Sequence, residues 1–196
     1  MLESVPPELL SDLRRRHGEP QRRYHDWSHI EALLGRFESV EDRIGDRAAV
    51  LYAILFHDAV YDPRANDNER RSAALLTEIS PPMPISSLSN ARRMIEATEG
   101  HHLPNDLSGA ARDDCAHFLD MDLGILGAAP DRFDIYEQQI RAEYAHVPDD
   151  AFRTGRAKVL RHFSQRKRLY FSAWGQDRFE SQARANLARS LALLEG

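Results

Sequence analysis

The sequence predicts an all-α fold in one domain of 196 residues. Three observations carry that expectation. Apolar residues recur at the helical period of about 3.6 along the chain. Period-2 alternation and Asn-Gly or Asp-Gly hairpin turns are missing, so strands are not expected. The run Leu51-Tyr52-Ala53-Ile54-Leu55-Phe56 is apolar on every side and too short to span a bilayer. Such a run reads as a helix buried in the middle of a globular domain.

The elements follow in order. A first helix is expected from about Pro7 to Arg16, stopped by Gly18 and Pro20. A loop covers Arg22 to Trp27. The second helix starts near Ser28, where Ser28 and Glu31 have the spacing of a capping box, and its apolar positions are Ile30, Leu33, Leu34 and Phe37. The buried helix spans Asp46 to Ala59. After a turn at Pro63 and Asn66-Asp67-Asn68, a helix runs from Glu69 to Ile79. Pro81, Pro82 and Pro84 form a rigid break. Helices then cover Ser86 to Glu99 and Ala110 to Asp122, separated by a loop that opens with His101-His102. Three more are expected at Arg132 to Tyr144, Asp149 to Leu169 and Asp177 to Leu194. Nothing in the composition marks a linker, so the chain reads as a single domain over residues 1–196. Its core motifs lie at about 24–126, and the C-terminal helices, 130–196, pack on them.

Composition narrows the function. Apolar residues at 42% and charged residues at 29% exclude a largely disordered chain. A net charge of -5 disfavours general nucleic-acid binding. Cys115 is the one cysteine, which rules out an intrachain disulfide and fits a reducing compartment. The N-terminus lacks a basic segment followed by an apolar one, and no apolar run reaches transmembrane length. A cytoplasmic protein without membrane association is therefore expected, with its oligomeric state open.

The chemistry starts at the end of the buried run, where His57 and Asp58 follow Phe56. Charge in a core is costly unless paired or bound to a metal. An imidazole and a carboxylate there ask for a cation and for further ligands. Four segments offer them: His25 and His29 in Tyr24-His25-Asp26-Trp27-Ser28-His29-Ile30, Asp120 and Asp122 in a mostly apolar stretch, Asn68-Glu69, and His101-His102. His29, His57, Asp58 and Asp122 together make a mixed imidazole and carboxylate set. It has no thiolate, unlike a cysteine-type structural zinc site. The set suits Mn²⁺, Fe²⁺, Co²⁺, Ni²⁺ or Zn²⁺ with positions left for water. Water on such an ion loses proton affinity and becomes a nucleophile toward phosphorus. Glu69 has a second reading as part of a helix-start box with Asn66, and His101 and His102 as complements to a helix C-terminus.

A lone histidine, a His-Asp pair at a helix end and a distant aspartate in an all-α chain resemble the HD superfamily of metal-dependent phosphohydrolases. Tyr24-His25-Asp26-Trp27-Ser28-His29-Ile30 is similar to the Tyr-His-Asn-x-x-His-Ala motif of the cyclic-nucleotide phosphodiesterases, which share that fold. Phe56-His57-Asp58-Ala59-Val60-Tyr61-Asp62-Pro63, Asn68-Glu69, Ser72-Ala73, Ile140 to Tyr144 and Gly155-Arg156 resemble a bacterial subgroup of predicted HD phosphohydrolases. The resemblance covers Tyr24 to Asn186.

It implies an HD-like helical bundle around the buried helix. His29, His57, Asp58 and Asp122 would be the ligands of a divalent ion (Mn, Fe, Co, Ni, Mg or Zn, one ion or two). Asp122 is preferred to Asp120 because the Leu after it matches the family's last motif. His25 stands where the phosphodiesterases keep a general acid, and Asp58 shares the catalytic centre. Glu69, His101 or His102 would hold a second ion or orient its water. The phosphodiesterases' base-recognition segment has no counterpart, so a cyclic-nucleotide substrate is not carried over. Arg141, Arg156, Lys158 and Arg161 suggest a basic wall for a phosphate. The expected activity is hydrolysis of a small phosphorylated metabolite or nucleotide. A non-catalytic metal- or nucleotide-binding sensor or interaction module is the alternative. An oxygenase with a di-iron centre on the same fold is a third reading.

Overall fold

Each helix expected from apolar periodicity forms, and the ends move where a tertiary hydrogen bond intervenes. The computed structural model describes residues 2–196, and among them it has nine α-helices, three short 3-10 turns and no strand. The helices are α1 (Pro7–His17), α2 (Trp27–Glu38), α3 (Arg47–Phe56), α4 (Asn68–Ile79), α5 (Ile85–Ala97), α6 (Gly109–Asp122), α7 (Pro130–Glu143), α8 (Asp149–Ser164) and α9 (Ala173–Glu195). The chain forms two compact units, residues 1–118 and 119–196, and the boundary falls inside α6. No helix among the described residues is long and apolar enough to cross a membrane.

In the first unit α3 is the buried element. Every residue from Ala49 to Phe56 is buried, and α2, α4 and α5 pack against it. An all-apolar surface leaves α3 no face for solvent, which is why three helices surround it. Its start is fixed twice. Asp46 caps it by accepting from the Ala49 N–H at 3.0 Å. The buried Asp114 carboxylate on α6 accepts from the Gly45 and Asp46 N–H groups, both at 2.8 Å.

The far end of α3 stops at Phe56 instead of continuing to Ala59 as expected. Residues 57–60 form a turn in which the His57 and Ala59 N–H groups still bond the Ala53 and Phe56 carbonyls, and side chains elsewhere hold the rest. The buried Ser72 hydroxyl on α4 accepts from the Val60 N–H at 3.0 Å, and Arg22 donates to the Asp58 carbonyl at 2.7 Å.

Two caps differ from expectation for the same kind of reason. Asp26, two residues before the expected cap, caps α2: its carboxylate accepts from the Ser28 N–H at 2.9 Å and the Ser28 hydroxyl at 2.6 Å. Ser28 is thus held by the cap and does not serve as one. At α4 the N-cap is Asp67, without a side-chain bond, so the Asn66 box does not form. Asn68 instead braces the preceding loop by bonding the Asp62 N–H at 3.0 Å and the Asp62 carbonyl at 2.9 Å.

The second unit holds α7, α8 and α9, with α8 and α9 packed together. The helix expected to reach Leu169 ends at Ser164, because the connection to α9 finds better partners. Glu180 accepts from the Leu169 N–H at 3.0 Å, and Asp120 accepts from the Phe171 and Ser172 N–H groups, both at 2.7 Å. Ser172 caps α9 through the Gly175 N–H at 3.0 Å.

Candidate metal centre

The α3 run delivers His57 to a position where its ring is oriented before any ion arrives. Its Nδ1–H donates to the Ile54 carbonyl at 2.9 Å, which leaves Nε2 as the lone-pair nitrogen. The first turn of α2 supplies His29, whose Nε2 lies 3.1 Å from the Nε2 of His57. Both rings are buried, at 4% and 1% exposure. Asp58 follows His57 in the turn, with Oδ2 3.0 Å from the His57 Nε2 and 3.8 Å from the His29 Nε2.

The donor set fits a divalent ion. Bonds of about 2.05 Å to two nitrogens 3.1 Å apart close an angle of roughly 100°, between the octahedral and tetrahedral values. Phe118 on α6 packs edge-on against His57 with ring centroids 5.9 Å apart. His29 and His57 belong to a set of residues whose ligand atoms lie within 4.8 Å of one another.

Burial resists ionisation of Asp58, but the imidazoles of His57, His25 and His29 outweigh it and hold the carboxyl well below the usual carboxylate range. His25 lies at the edge of the pair, half-buried in the loop before α2. Its ring stacks on Tyr61 at 4.3 Å and lies 6.0 Å from the ring of His29.

Other expected residues sit elsewhere. Glu69, His101 and His102 are outside the set of mutually close ligand atoms among the described residues. His101 has φ of 48°, a left-handed turn position directly after Gly100. The three arginines are engaged by carboxylates. Arg141 pairs with Asp149 and also donates to the Tyr144 carbonyl at 2.7 Å. Arg156 is paired with Glu137, and Arg161 with Glu195. A phosphate at this wall would have to compete with those carboxylates. Asp120 is fully buried and adds the Ser172 hydroxyl at 2.6 Å to its two backbone donors. Burial pushes its carboxyl up to about 6 against these three bonds.

Two residues near the centre escaped the sequence reading. Arg22, read as part of a loop, is buried beneath the turn that carries Asp58. His17, at the end of α1, is fully buried with Nδ1–H donating to the Leu13 carbonyl at 2.9 Å and Nε2 without a partner. Burial lowers its pKa to about 4 despite that bond, so it stays neutral near pH 7. Its ring meets Trp27 edge-on at 5.8 Å, immediately before the cap-held Ser28. The usable signal was position: both residues lie within a few places of the His25 motif.

No protein-family model matches this chain, and neither does any curated protein or solved structure, so its function is argued from these residues.

Proposed function

We propose that the protein is a metal-dependent phosphohydrolase of the HD type, acting on a small phosphorylated metabolite or nucleotide. The observation that carries this reading is the approach of two buried imidazole nitrogens to 3.1 Å beside the Asp58 carboxylate. Two ring nitrogens that close together, with a carboxylate beside them, are the donor set a shared cation would use. The resemblance of Tyr24 to Ile30 and of His57-Asp58 to the HD motifs supports the choice of chemistry. A buried thiol at Cys115 accords with a cytoplasmic setting.

A divalent ion held by His29, His57, Asp58 and Asp122 would supply Lewis acidity and lower the pKa of a coordinated water. The chain's own groups do the rest. His57 is oriented by burial and by the Ile54 carbonyl, and His29 is buried beside it. Asp58, kept ionised, accepts hydrogen bonds and orients water for attack on phosphorus. His25 hands a proton to the departing ester oxygen, so one P–O bond forms, another breaks, and the alcohol leaves neutral. An imidazole with an ordinary pKa of about 6.5 suits that transfer.

A binding-only module is the second reading. The pairing of Arg141, Arg156 and Arg161 with carboxylates favours it, because it leaves the phosphate site undefined. The two readings separate in one experiment. Wild type and His57→Ala are assayed for bound metal and then for turnover on phosphomonoester and phosphodiester panels with Mn²⁺, Mg²⁺, Co²⁺ and Ni²⁺. Turnover that disappears together with metal in His57→Ala supports the enzyme. Metal binding with no turnover on any substrate supports the sensor.

A further inference from the structure

Arg22 is 3% exposed, although the segment around it reads as a solvated loop. Its guanidinium reaches two parts of the candidate centre at once. One terminal nitrogen, Nη1, donates to the His25 carbonyl at 2.9 Å and to the Asp58 carbonyl at 2.7 Å, across 36 positions of sequence. The other, Nη2, lies 3.4 Å from the Ala59 carbonyl. Nε pairs with Glu19 at 3.1 Å. The guanidinium carbon is 5.3 Å from the centroid of Tyr61, the ring on which His25 stacks.

A buried cation is retained only where its donors are used. Here they join the backbone of the residue proposed to give the proton to the backbone of the turn that presents His57 and Asp58. A planar fork with five donors fixes the spacing between two segments; an ammonium, as a rotating point charge, does not.

We infer that Arg22 is a positioning residue that holds the His25 loop at a set distance from the His57–Asp58 turn. This rests on the proposed hydrolase reading for its consequence in catalysis, and on the hydrogen bonds alone for its consequence in structure.

The test uses Arg22→Lys, which keeps the charge and loses the fork. Co²⁺ is titrated by its visible absorption, and kcat and KM are measured on whichever phosphoester the wild type turns over. The expected result is a Co²⁺ Kd within about threefold of wild type, a kcat lower by about tenfold or more, and little change in KM. The kcat loss is expected to vanish in a His25→Ala background, because Arg22 acts through His25. Ring resonances of His25 and His57 in the metal-free protein are expected to shift in Arg22→Lys. Additive losses in the double variant, or unmoved His25 resonances, overturn the inference. If the wild type neither binds Co²⁺ nor turns over a phosphoester, the hydrolase reading fails, and the metal-free resonances still decide the role of Arg22. Should Arg22→Lys not fold, the wild type decides through its Arg22 Nη protons. Exchange with solvent as slow as the amides of α3 supports the fixed fork, and a single averaged Nη signal contradicts it.

Discussion

Asp58 and Asp120 are both enclosed carboxylates, and their neighbours give them opposite roles. Asp120 faces donors: the Phe171 N–H, the Ser172 N–H and the Ser172 hydroxyl. Those bonds use its oxygens and fix the start of α9. Asp58 faces ring nitrogens of His57 and His29. A carboxylate held by backbone and hydroxyl donors serves as a structural clamp, whereas one beside two imidazoles has the neighbours a cation site would use. The charges respond accordingly. Burial raises Asp120 to about 6, while the imidazoles hold Asp58 below the ordinary range.

The largest effect that sharpens this contrast comes from the imidazole side. His57→Ala or Asp58→Asn is expected to weaken metal binding by more than about 100-fold, beyond the effect of losing an outer partner. Metal retention near the wild-type level in both variants would break the comparison. Next comes Asp120→Asn, which places an amide against three donors. A loss of about 2–4 kcal/mol in chemical denaturation is expected, with metal per chain unchanged. Gly175→Ala acts on the same clamp, since a β-carbon there would overlap the Asp120 carboxylate. It should lower stability without altering metal content.

His17 gives a smaller effect that depends on pH. Its folded pKa of about 4 lies below the ordinary imidazole value, so the unfolded chain binds a proton that the native state refuses. Stability from this group is full above about pH 6.5 and falls toward pH 4 by at most ~1.4 kcal/mol per unit. Asp120 has the opposite sign: its raised pKa makes its contribution fall as pH rises through about 6. Denaturation curves of wild type and His17→Phe separate the two. Between pH 7 and pH 5 the variant should lose less stability than wild type, by about 2 kcal/mol. Equal losses would show that His17 is not neutral in the folded protein.

Arg161→Ala should have the smallest effect. Its partner Glu195 is about half exposed, so the pair contributes less than ~1 kcal/mol. With the guanidinium held by Glu195, KM for a phosphoester is expected to stay within about twofold, and a large rise in KM would restore the basic wall as a phosphate site.

What was legible in the sequence followed from local chemistry. The α3 run announced itself by being apolar on all faces, and His57-Asp58 by placing charge at the end of it. Helix ends and caps were less legible where distant side chains decide them. Asp26 and Ser28 are both cap formers two places apart, and only the hydrogen bonds separate them. Only the resemblance to the family motif favoured Asp122 over Asp120, because the group that claims Asp120 lies at Phe171 and Ser172, some fifty residues on. Arg22 was missed because a basic residue in a loop ordinarily points to water, and nothing nearby in sequence shows that the His57–Asp58 turn covers it. The arginines of α7 and α8 read as a phosphate wall because their carboxylate partners are spread over α7, α9 and the start of α8.

The most direct test of the central claim is metal stoichiometry of the purified wild type, His29→Ala and His57→Ala, after exposure to Mn²⁺, Co²⁺, Ni²⁺ and Zn²⁺ and removal of excess. The wild type is expected to retain at least one ion per chain, and both variants to lose it while keeping wild-type helicity by circular dichroism. A wild type that retains no ion, or variants that retain as much as the wild type, would contradict the assignment of His29 and His57 as ligands.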